Sequence, residues 1–306
     1  MTFQAPSMNG GLPLPAHRDG AFRRGLVIGP LTAPESDDDF KRKHVRLLER
    51  AVALGVTDVQ LVVRWLTVDY SATEVAPFDT VHDELLTWLV DAARKRKMRV
   101  FLTPQLEVEG EGPHSAAGLE PKSWDLWWWS YQRMALHYAR FAHYRKVHSL
   151  SLGYELGSTE GQTERWRKLV QDARKIYKGE LTYVAAPEGL ERVGFWQELD
   201  FVGVAIDQAQ PRSEEQLAEK LAPTLEQLHA SKRLREHAYV ISEAGCGRGD
   251  PDDARELLCQ YSLFQSFRDE PKLAGAFLQP SVTLAQGAKY AEGASEVVSH
   301  WYKKSH

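Results

Sequence analysis

The sequence has little cysteine, no long apolar run and no excess of positive charge. Its 306 residues include two cysteines, Cys246 and Cys259, which are too few for a disulfide framework or a Cys/His zinc site. No apolar run reaches the length of a membrane span. The formal net charge is -4 and no basic stripe is present, which argues against a nucleic-acid partner.

The amino-terminal segment lacks the features of a secretory signal. Residues 1–22 contain no apolar core of seven or more residues, and they are predicted to form a flexible arm. The expected location is therefore cytoplasmic, although a chain from which a leader had been removed would look the same. No metal or organic cofactor is implied, and the sequence does not identify a protein partner.

The rest of the chain alternates short apolar strands with longer amphipathic helices eight times. The predicted strands are Gly25–Leu31, Asp58–Trp65, Arg99–Leu106, Ser149–Leu156, Thr182–Ala186, Phe201–Asp207, Tyr239–Ala244 and Ala274–Gln279. The predicted helices are Phe40–Leu54, Val81–Ala93, Ser123–Tyr144, Gln162–Tyr177, Arg192–Leu199 (short), Glu214–Leu228, Asp252–Phe267 and Ala288–Tyr302.

Eight strand–helix units in one chain of this length predict a closed (β/α)₈ TIM barrel that forms a single domain over residues 23–306. The rival architecture is an open doubly wound sheet. That fold usually carries Gly-x-Gly-x-x-Gly after its first strand, and here the first strand runs into Val-Ile-Gly-Pro-Leu-Thr. We therefore expect the barrel.

Two glutamates end predicted strands at the mouth, where TIM barrels place their chemistry. Glu155 follows the stretch Ser-Leu-Gly-Tyr at the end of strand four, and Glu243 ends strand seven. Strict alternation would put Leu150, Leu152 and Tyr154 on one face of strand four, with Glu155 on the other. The other polar or aromatic residues at strand ends are Arg64, Trp65, Gln105, Asp207 and Gln279.

Two carboxyl groups facing each other across a pocket are suited to the hydrolysis of glycosides. One must be protonated to give its proton to the leaving oxygen, and the other must be charged to attack the anomeric carbon. Arg64 could keep one acid ionised, because a nearby cation lowers a carboxyl pKa. A salt bridge or a cap remains the alternative explanation for either glutamate alone.

Two further features lie near the predicted mouth. His114 belongs to the segment after strand three, which a barrel would hold over the opening, and it could contact a substrate. Trp65 is a candidate platform under a sugar ring.

The run Trp127-Trp128-Trp129 lies in a predicted helix, where consecutive residues point in different directions, so burial of most of these rings is expected.

Several stretches give the chain a resemblance to a known group. They are LGYELGSTE (152–160), RWRKLVQDARKIYKGELTY (165–183), FWQELDFVGV (195–204), VISEAG (240–245) and SYQRMALHYARF (130–141). The chain resembles the clan A glycoside hydrolases and is most similar to the family 113 β-mannanases. The resemblance implies a (β/α)₈ barrel, Glu155 as acid/base, Glu243 as nucleophile and a carbohydrate substrate.

The sequence departs from the pattern of that group at four positions. Tyr154 stands where the clan usually has an asparagine that binds the sugar 2-hydroxyl, and Asp207 stands where a tyrosine usually contacts the nucleophile. Leu278-Gln279 replaces a tryptophan after strand eight, and Ala186-Pro187 replaces an Asn-Trp pair after strand five. Asp207 beside Glu243 would raise one of their pKa values by repulsion between like charges.

Two functions are therefore carried forward. The first is a retaining β-glycosidase or transglycosidase that acts on a β-linked oligo- or polysaccharide, for example one related to mannan. Its substrate site would be shaped by Arg64, Trp65, Gln105, Tyr154, Asp207 and Gln279. The second is a glycosidase-like barrel that binds glycan without cleaving it, for example in polysaccharide assembly. A sugar-phosphate enzyme is a third reading, but it lacks a glycine-rich phosphate loop after strand seven or eight.

Overall fold

The chain folds into a closed barrel of eight parallel strands in the order β1 to β8. The computed structural model describes residues 22–112, 114–207, 222–223, 226–245, 270, 272–279, 299 and 302, but not the side chains of residues 207, 233 and 245. The strands are β1 Arg23–Leu31, β2 Asp58–Thr67, β3 Arg99–Val108, β4 Ser149–Tyr154, β5 Glu180–Ala185, β6 Val202–Asp207, β7 Tyr239–Gly245 and β8 Leu273–Leu278. The predicted TIM barrel is confirmed.

Helices cover the outside of the barrel. They are α1 Asp37–Ala53, α2 Asp83–Lys95, α3 Trp124–Arg145, α4 Thr163–Ile176 and the short α5 Lys232–Glu236, with 3₁₀ turns at Ser115–Gly118, Gly157–Thr159, Pro187–Gly189 and Trp196–Glu198. The predicted helix Arg192–Leu199 is wrong, because that segment forms only the last of these turns. None of the helices in the described residues is long and apolar enough to cross a membrane.

Several predictions fall outside the described residues. They are the arm over residues 1–21, both cysteines, helix Asp252–Phe267 and most of helices Glu214–Leu228 and Ala288–Tyr302. From the last of these helices, Tyr302 is described, and its hydroxyl donates to the carbonyl oxygens of Gly25 in β1 and Ala276 in β8. This contact ties the end of the chain to the seam where the barrel closes.

The packing of α3, the longest of the described helices, explains its many aromatic residues. Ser123 caps the helix by accepting a hydrogen bond from the backbone nitrogen of Leu126. Trp127 and Trp128 are buried, whereas Trp129 is 58% exposed and lies under the guanidinium of Arg133 at 4.7 Å. The expectation that most of these rings pack inside is confirmed, and the apolar face of α3 holds the helix against β3 and β4.

Inside the barrel, side chains from all eight strands meet in one apolar cluster. Its members are Val27, Val62, Phe101, Tyr154, Val184, Phe201, Ala205, Val240 and Phe277. Polar contacts also cross the interior, since the amide nitrogen of Gln60 donates to Thr103 and to Ser242 at 3.2 and 2.9 Å. The interior is filled, as is usual for this fold, so a substrate can enter only at the mouth.

An ion pair fixes the end of the barrel opposite the mouth. Arg23 in β1 donates to both carboxylate oxygens of Glu180 in β5 at 2.9 and 3.0 Å, and Ser149 in β4 donates to the same carboxylate. Burial opposes the ionised form of Glu180. Hydrogen bonds from His148 and Ser149 and the charge of Arg23 outweigh that effect, so the pKa of Glu180 falls to about 2. The group therefore serves the stability of the barrel.

A β-bulge near the end of β4 reverses the expected alternation of its side chains. The register of β4 against β5 shifts between Ser151 and Tyr154. Gly153 now faces the helices, where an added Cβ would lie 2.6 Å from Trp166, and Tyr154 points into the barrel. The prediction that Tyr154 shares a face with Leu152 is wrong, because a bulge inserts a residue and turns the following side chain.

A second irregularity lies near the end of β7. The register of β7 against β8 shifts between Ile241 and Ala244, and both of those residues pack in the outer core. The two residues between them turn inwards, since Ser242 contacts Gln60 and Glu243 contacts Tyr154. The bulge therefore points the Glu243 carboxylate into the barrel, close to the mouth.

Candidate active site

Glu155 occupies a strained position immediately after β4. Its backbone is left-handed, with φ of 47°, and its amide nitrogen donates to the carbonyl oxygen of Val184 at 2.8 Å. Left-handed conformations are unfavourable for residues other than glycine and cluster at functional sites. Asp79 and His114, in the segments that follow β2 and β3, are left-handed as well. Three of the five described non-glycine residues with a positive φ therefore lie at the mouth, and the other two, Lys97 and Lys146, follow helices at the opposite end.

The carboxylate of Glu155 contacts the imidazole of His114. Nδ1 of His114 lies within hydrogen-bond distance of Oε2 of Glu155, and only 11% of the Glu155 side chain is exposed. His114 comes from the loop between β3 and α3, which lies over the mouth as expected. The histidine supplies Glu155 with a partner that can give or accept a proton.

Glu243 is buried, and among the described residues two uncharged groups donate hydrogen bonds to it. The hydroxyl of Tyr154 donates to Oε2, and the side-chain amide of Gln279 donates to Oε1. Glu243 is 5% exposed. Donors that bind both oxygens stabilise the ionised form of a carboxyl group, which is the form that a nucleophile requires.

A contact between the rings of His114 and Tyr154 links the two glutamates in one site. The rings of His114 and Tyr154 lie 5.7 Å apart between centroids and are tilted by 40°. His114 contacts Glu155, and Tyr154 contacts Glu243. The structure therefore brings both predicted acids to the same mouth, together with Tyr154 and Gln279 from the predicted set.

Arg64 lies at the mouth but pairs with acids that the sequence analysis did not single out. Its Nε lies 3.1 Å from Glu107, and its Nη1 lies 3.5 Å from Asp79. Glu107 is almost fully buried, as is Gln105 on the same strand. Glu107 could have been found from the sequence, because it stands two residues after Gln105 and so faces the same side of β3.

Two other predicted residues lie less centrally. The indole nitrogen of Trp65 donates to the hydroxyl of Tyr138 on α3 at 2.7 Å, which places the ring on the helix side of β2. This contact does not support the prediction that Trp65 forms a platform under a sugar ring. Asp207 is paired with Gly245 across β6 and β7, two positions beyond the pair Ala205–Glu243, so its backbone lies near the nucleophile candidate.

A cavity of about 400 Å³ opens beside Glu155. Its lining comes from the segments after β3, β4 and β5, from β6 and from Gln227; it comprises His114, Ala117, Glu155, Gly157, Glu160, Ala186, Pro187, Glu188, Arg192, Ala205, Ile206 and Gln227. In its wall, Glu160 is 1% exposed and pairs with Arg192 at 2.9 Å. Burial raises the pKa of Glu160, although the charge of Arg192 opposes this shift. Within the described part of the chain, no group of three or more His, Cys, Asp or Glu side chains could hold a metal ion.

Replacement of Tyr154 by phenylalanine tests the contact with Glu243. We expect kcat/KM to fall roughly 10- to 100-fold, because a hydrogen bond to a charged group is lost. The acidic limb of the pH–rate profile should also move to higher pH, because the ionised carboxylate loses a donor. Both quantities come from steady-state kinetics across a pH series.

Tyr131→Phe is the matched control for this variant. Tyr131 is equally buried, and its hydroxyl donates to the carbonyl oxygen of Leu152 and not to either glutamate. It should lower the melting temperature without moving the pH profile. If both variants change the profile equally, or if neither does, Tyr154 does not position Glu243.

The chain is similar to a known family and to solved structures of the same fold. The family model "Glycoside Hydrolase Family 113" matches residues 29–254. The β-mannanase of Alicyclobacillus acidocaldarius in complex with ManMIm is 20% identical with a TM-score of 0.75, over 93% of this chain and 98% of that one. A β-1,4-mannanase of the same family is 19% identical, with a TM-score of 0.74 over 92% of this chain and 98% of that one.

A more distant neighbour has the same fold. The exo-β-1,4-mannosidase Op5Man5 of an Opitutaceae bacterium is 12% identical with a TM-score of 0.62, over 98% of this chain and 62% of that one. At these identities the structural likenesses establish the fold alone. None of the curated proteins matches the chain.

Proposed function

The chain belongs to glycoside hydrolase family 113, and from this premise we propose that it is a retaining β-glycosidase or transglycosidase with a two-glutamate mechanism. Glu155 is the acid/base and Glu243 is the nucleophile. The observation that supports this proposal is the connection of the two carboxyl groups through His114 and Tyr154 at one barrel mouth.

The surroundings of the two acids suit different roles. Glu243 accepts hydrogen bonds at both oxygens, which fix its orientation and suit the ionised form that a nucleophile requires. Glu155 borders an open cavity and contacts a histidine, so it can exchange protons with a leaving group and with water. Environments that separate two carboxyl groups in this way commonly assign the acid and the nucleophile.

The proposed reaction has two steps. Glu155 gives its proton to the glycosidic oxygen while Glu243 attacks the anomeric carbon, so the bond to the leaving sugar breaks and a glycosyl-enzyme ester forms. Glu155 then takes a proton from water, or from a sugar hydroxyl in a transglycosidase, and that oxygen displaces Glu243. Two inversions leave the configuration unchanged.

The substrate that we propose is a β-linked oligo- or polysaccharide related to mannan. The family and the β-1,4-mannanases among the structural neighbours support this substrate class. The departures at Tyr154 and Gln279 favour a second candidate, a barrel that holds glycan without cleaving it, because these side chains occupy both oxygens of the Glu243 carboxylate. Turnover distinguishes the two candidates.

The test is an assay of the purified protein with β-1,4-mannan, manno-oligosaccharides and a panel of other β-linked glycans. Proton NMR would follow the anomer that is released first. We expect cleavage of a β-linked substrate with initial release of the β-anomer. Initial release of the α-anomer would contradict the retaining mechanism, and binding of a glycan without turnover would favour the second candidate.

A further inference from the structure

The outer face of α3 carries exposed apolar and cationic side chains. Because successive residues of a helix are about 100° apart, five exposed residues fall within about 60° of one another on the side that faces away from the barrel. They are Leu126, Trp129, Arg133, Arg140 and Tyr144. The helix contains a single acid, Asp125, which pairs with Arg165 of α4. The outer face therefore combines rings with positive charge.

The end of α2 adds further positive charge to this face. Arg94 donates to the carbonyl oxygen of Arg145, the last residue of α3, at 3.4 Å, so the two helix ends lie side by side. These residues are 51 positions apart in the sequence, so the cluster exists only in the fold. The exposed cations of the two ends are Arg94, Lys95, Lys97, Arg145 and Lys146. Together with the five residues on the outer face of α3, they form what we call the α3 surface.

Helix stability does not account for all of this charge. Cations suit the last turn of a helix, which explains Arg94 and Lys95. Lys97 and Lys146 come after the last turns of α2 and α3, and their backbones are left-handed, with φ of 62° and 54°. Glycine is the favoured residue in that conformation, and Gly55 adopts it after α1 with φ of 86°. Two lysines thus add charge where glycine would be more stable.

We propose that the α3 surface binds the protein to an anionic phospholipid bilayer. Clusters of lysine and arginine are attracted by the negative headgroups of such a membrane. Tryptophan and tyrosine favour the boundary between headgroups and acyl chains, and Trp129 and Tyr144 supply these rings. The long side chains of arginine and lysine can reach the headgroups while their apolar stems lie along the same boundary.

The apolar members of the surface favour a bilayer over a soluble polyanion. Leu126 and Trp129 are 57% and 58% exposed, and the guanidinium of Arg133 lies 4.7 Å from the centroid of the Trp129 ring. Leucine gains nothing from a charged polymer in water, whereas burial at the edge of the acyl chains removes its apolar area from water. The chain as a whole has a net charge of -4, so the attraction depends on this local arrangement.

Binding through the α3 surface leaves the active site open. None of its residues belongs to the lining of the cavity beside Glu155, as far as the structure describes that cavity. Lys97 and Lys146 lie at the end of the barrel opposite the mouth, where α2 and α3 end. The proposal therefore does not depend on whether the protein cleaves glycans.

The experiment is co-sedimentation of the full chain with vesicles of phosphatidylcholine, with and without phosphatidylglycerol. We expect binding to the vesicles that contain phosphatidylglycerol, and little binding to pure phosphatidylcholine. Binding should be lost at high salt, because salt screens the attraction between exposed charges. Trp129→Ala should also weaken binding to the anionic vesicles, because apolar area no longer enters the boundary.

A double variant, Lys97→Gly with Lys146→Gly, separates binding from folding. It should lower the partition coefficient for anionic vesicles roughly 30-fold, because two cations near the membrane surface are lost. The same variant should keep or raise the melting temperature, because glycine adopts a positive φ without strain. Unfolding then cannot explain the loss of binding.

The control is a second double variant, Lys232→Gln with Arg235→Gln. These exposed cations lie on α5, between β6 and β7 and so on another side of the barrel, and their loss changes the net charge equally. Binding should be nearly unchanged in this variant.

Three results would overturn the proposal. The first is wild-type protein that stays in the supernatant with anionic vesicles at low salt. The second is an equal loss of binding in the two double variants, which would mean that charge anywhere on the protein suffices. The third is unchanged binding in Trp129→Ala, which would make the surface a site for polyanions in general.

Discussion

Replacement of Glu243 by alanine is expected to lower kcat/KM for the true substrate by roughly 10⁴-fold or more, the scale seen when an enzyme loses its nucleophile. The carboxylate that Tyr154 and Gln279 hold in place is then absent. No glycosyl-enzyme ester can form, and the remaining groups bind substrate without attacking it. The variant should therefore keep its affinity for substrate while it loses turnover.

Azide gives this prediction a positive readout. The alanine leaves a space beside the anomeric carbon that azide can enter and from which it can attack. One displacement on a β-glycoside inverts the configuration, so the expected product is the α-glycosyl azide, identified by NMR and mass spectrometry. Turnover within about 10-fold of the parent protein in the absence of azide would exclude Glu243 as the nucleophile, because loss of a nucleophile costs far more.

Replacement of Glu155 by alanine should have an effect that depends on the leaving group. For an oligosaccharide, whose leaving oxygen needs a proton, kcat/KM should fall roughly 10²- to 10⁴-fold. For β-mannosyl fluoride or a dinitrophenyl glycoside the first step should be nearly unaffected, because these groups leave without a proton. The glycosyl-enzyme should then accumulate and be detectable by mass spectrometry.

The azide product separates the roles of the two glutamates. In the Glu155 variant, azide attacks the glycosyl-enzyme ester in a second displacement, so the expected product is the β-glycosyl azide. The opposite configurations from the two variants would assign the acid/base and the nucleophile independently. Equal losses for good and poor leaving groups in Glu155→Ala would contradict the acid/base role.

Parts of this site could be predicted from the sequence because they follow from the order of strands alone. Residues that end parallel strands meet at one face of a barrel, which was enough to bring Glu155, Glu243 and Gln279 together. Glu107 was missed, although its spacing from Gln105 signals its direction. Asp79 was missed because the sequence gives no sign of its pairing with Arg64.

The sequence by itself determined the architecture, since eight alternations of strand and helix leave few alternatives and the hydrophobic periods set which faces are buried. The tertiary structure decided the direction in which the side chains of the site point. The bulges in β4 and β7 turn Tyr154 and Glu243 into the barrel, and a left-handed backbone presents Glu155 to His114. A one-residue change of register reverses the face of every later side chain, and only the pairing of neighbouring strands fixes where that change occurs.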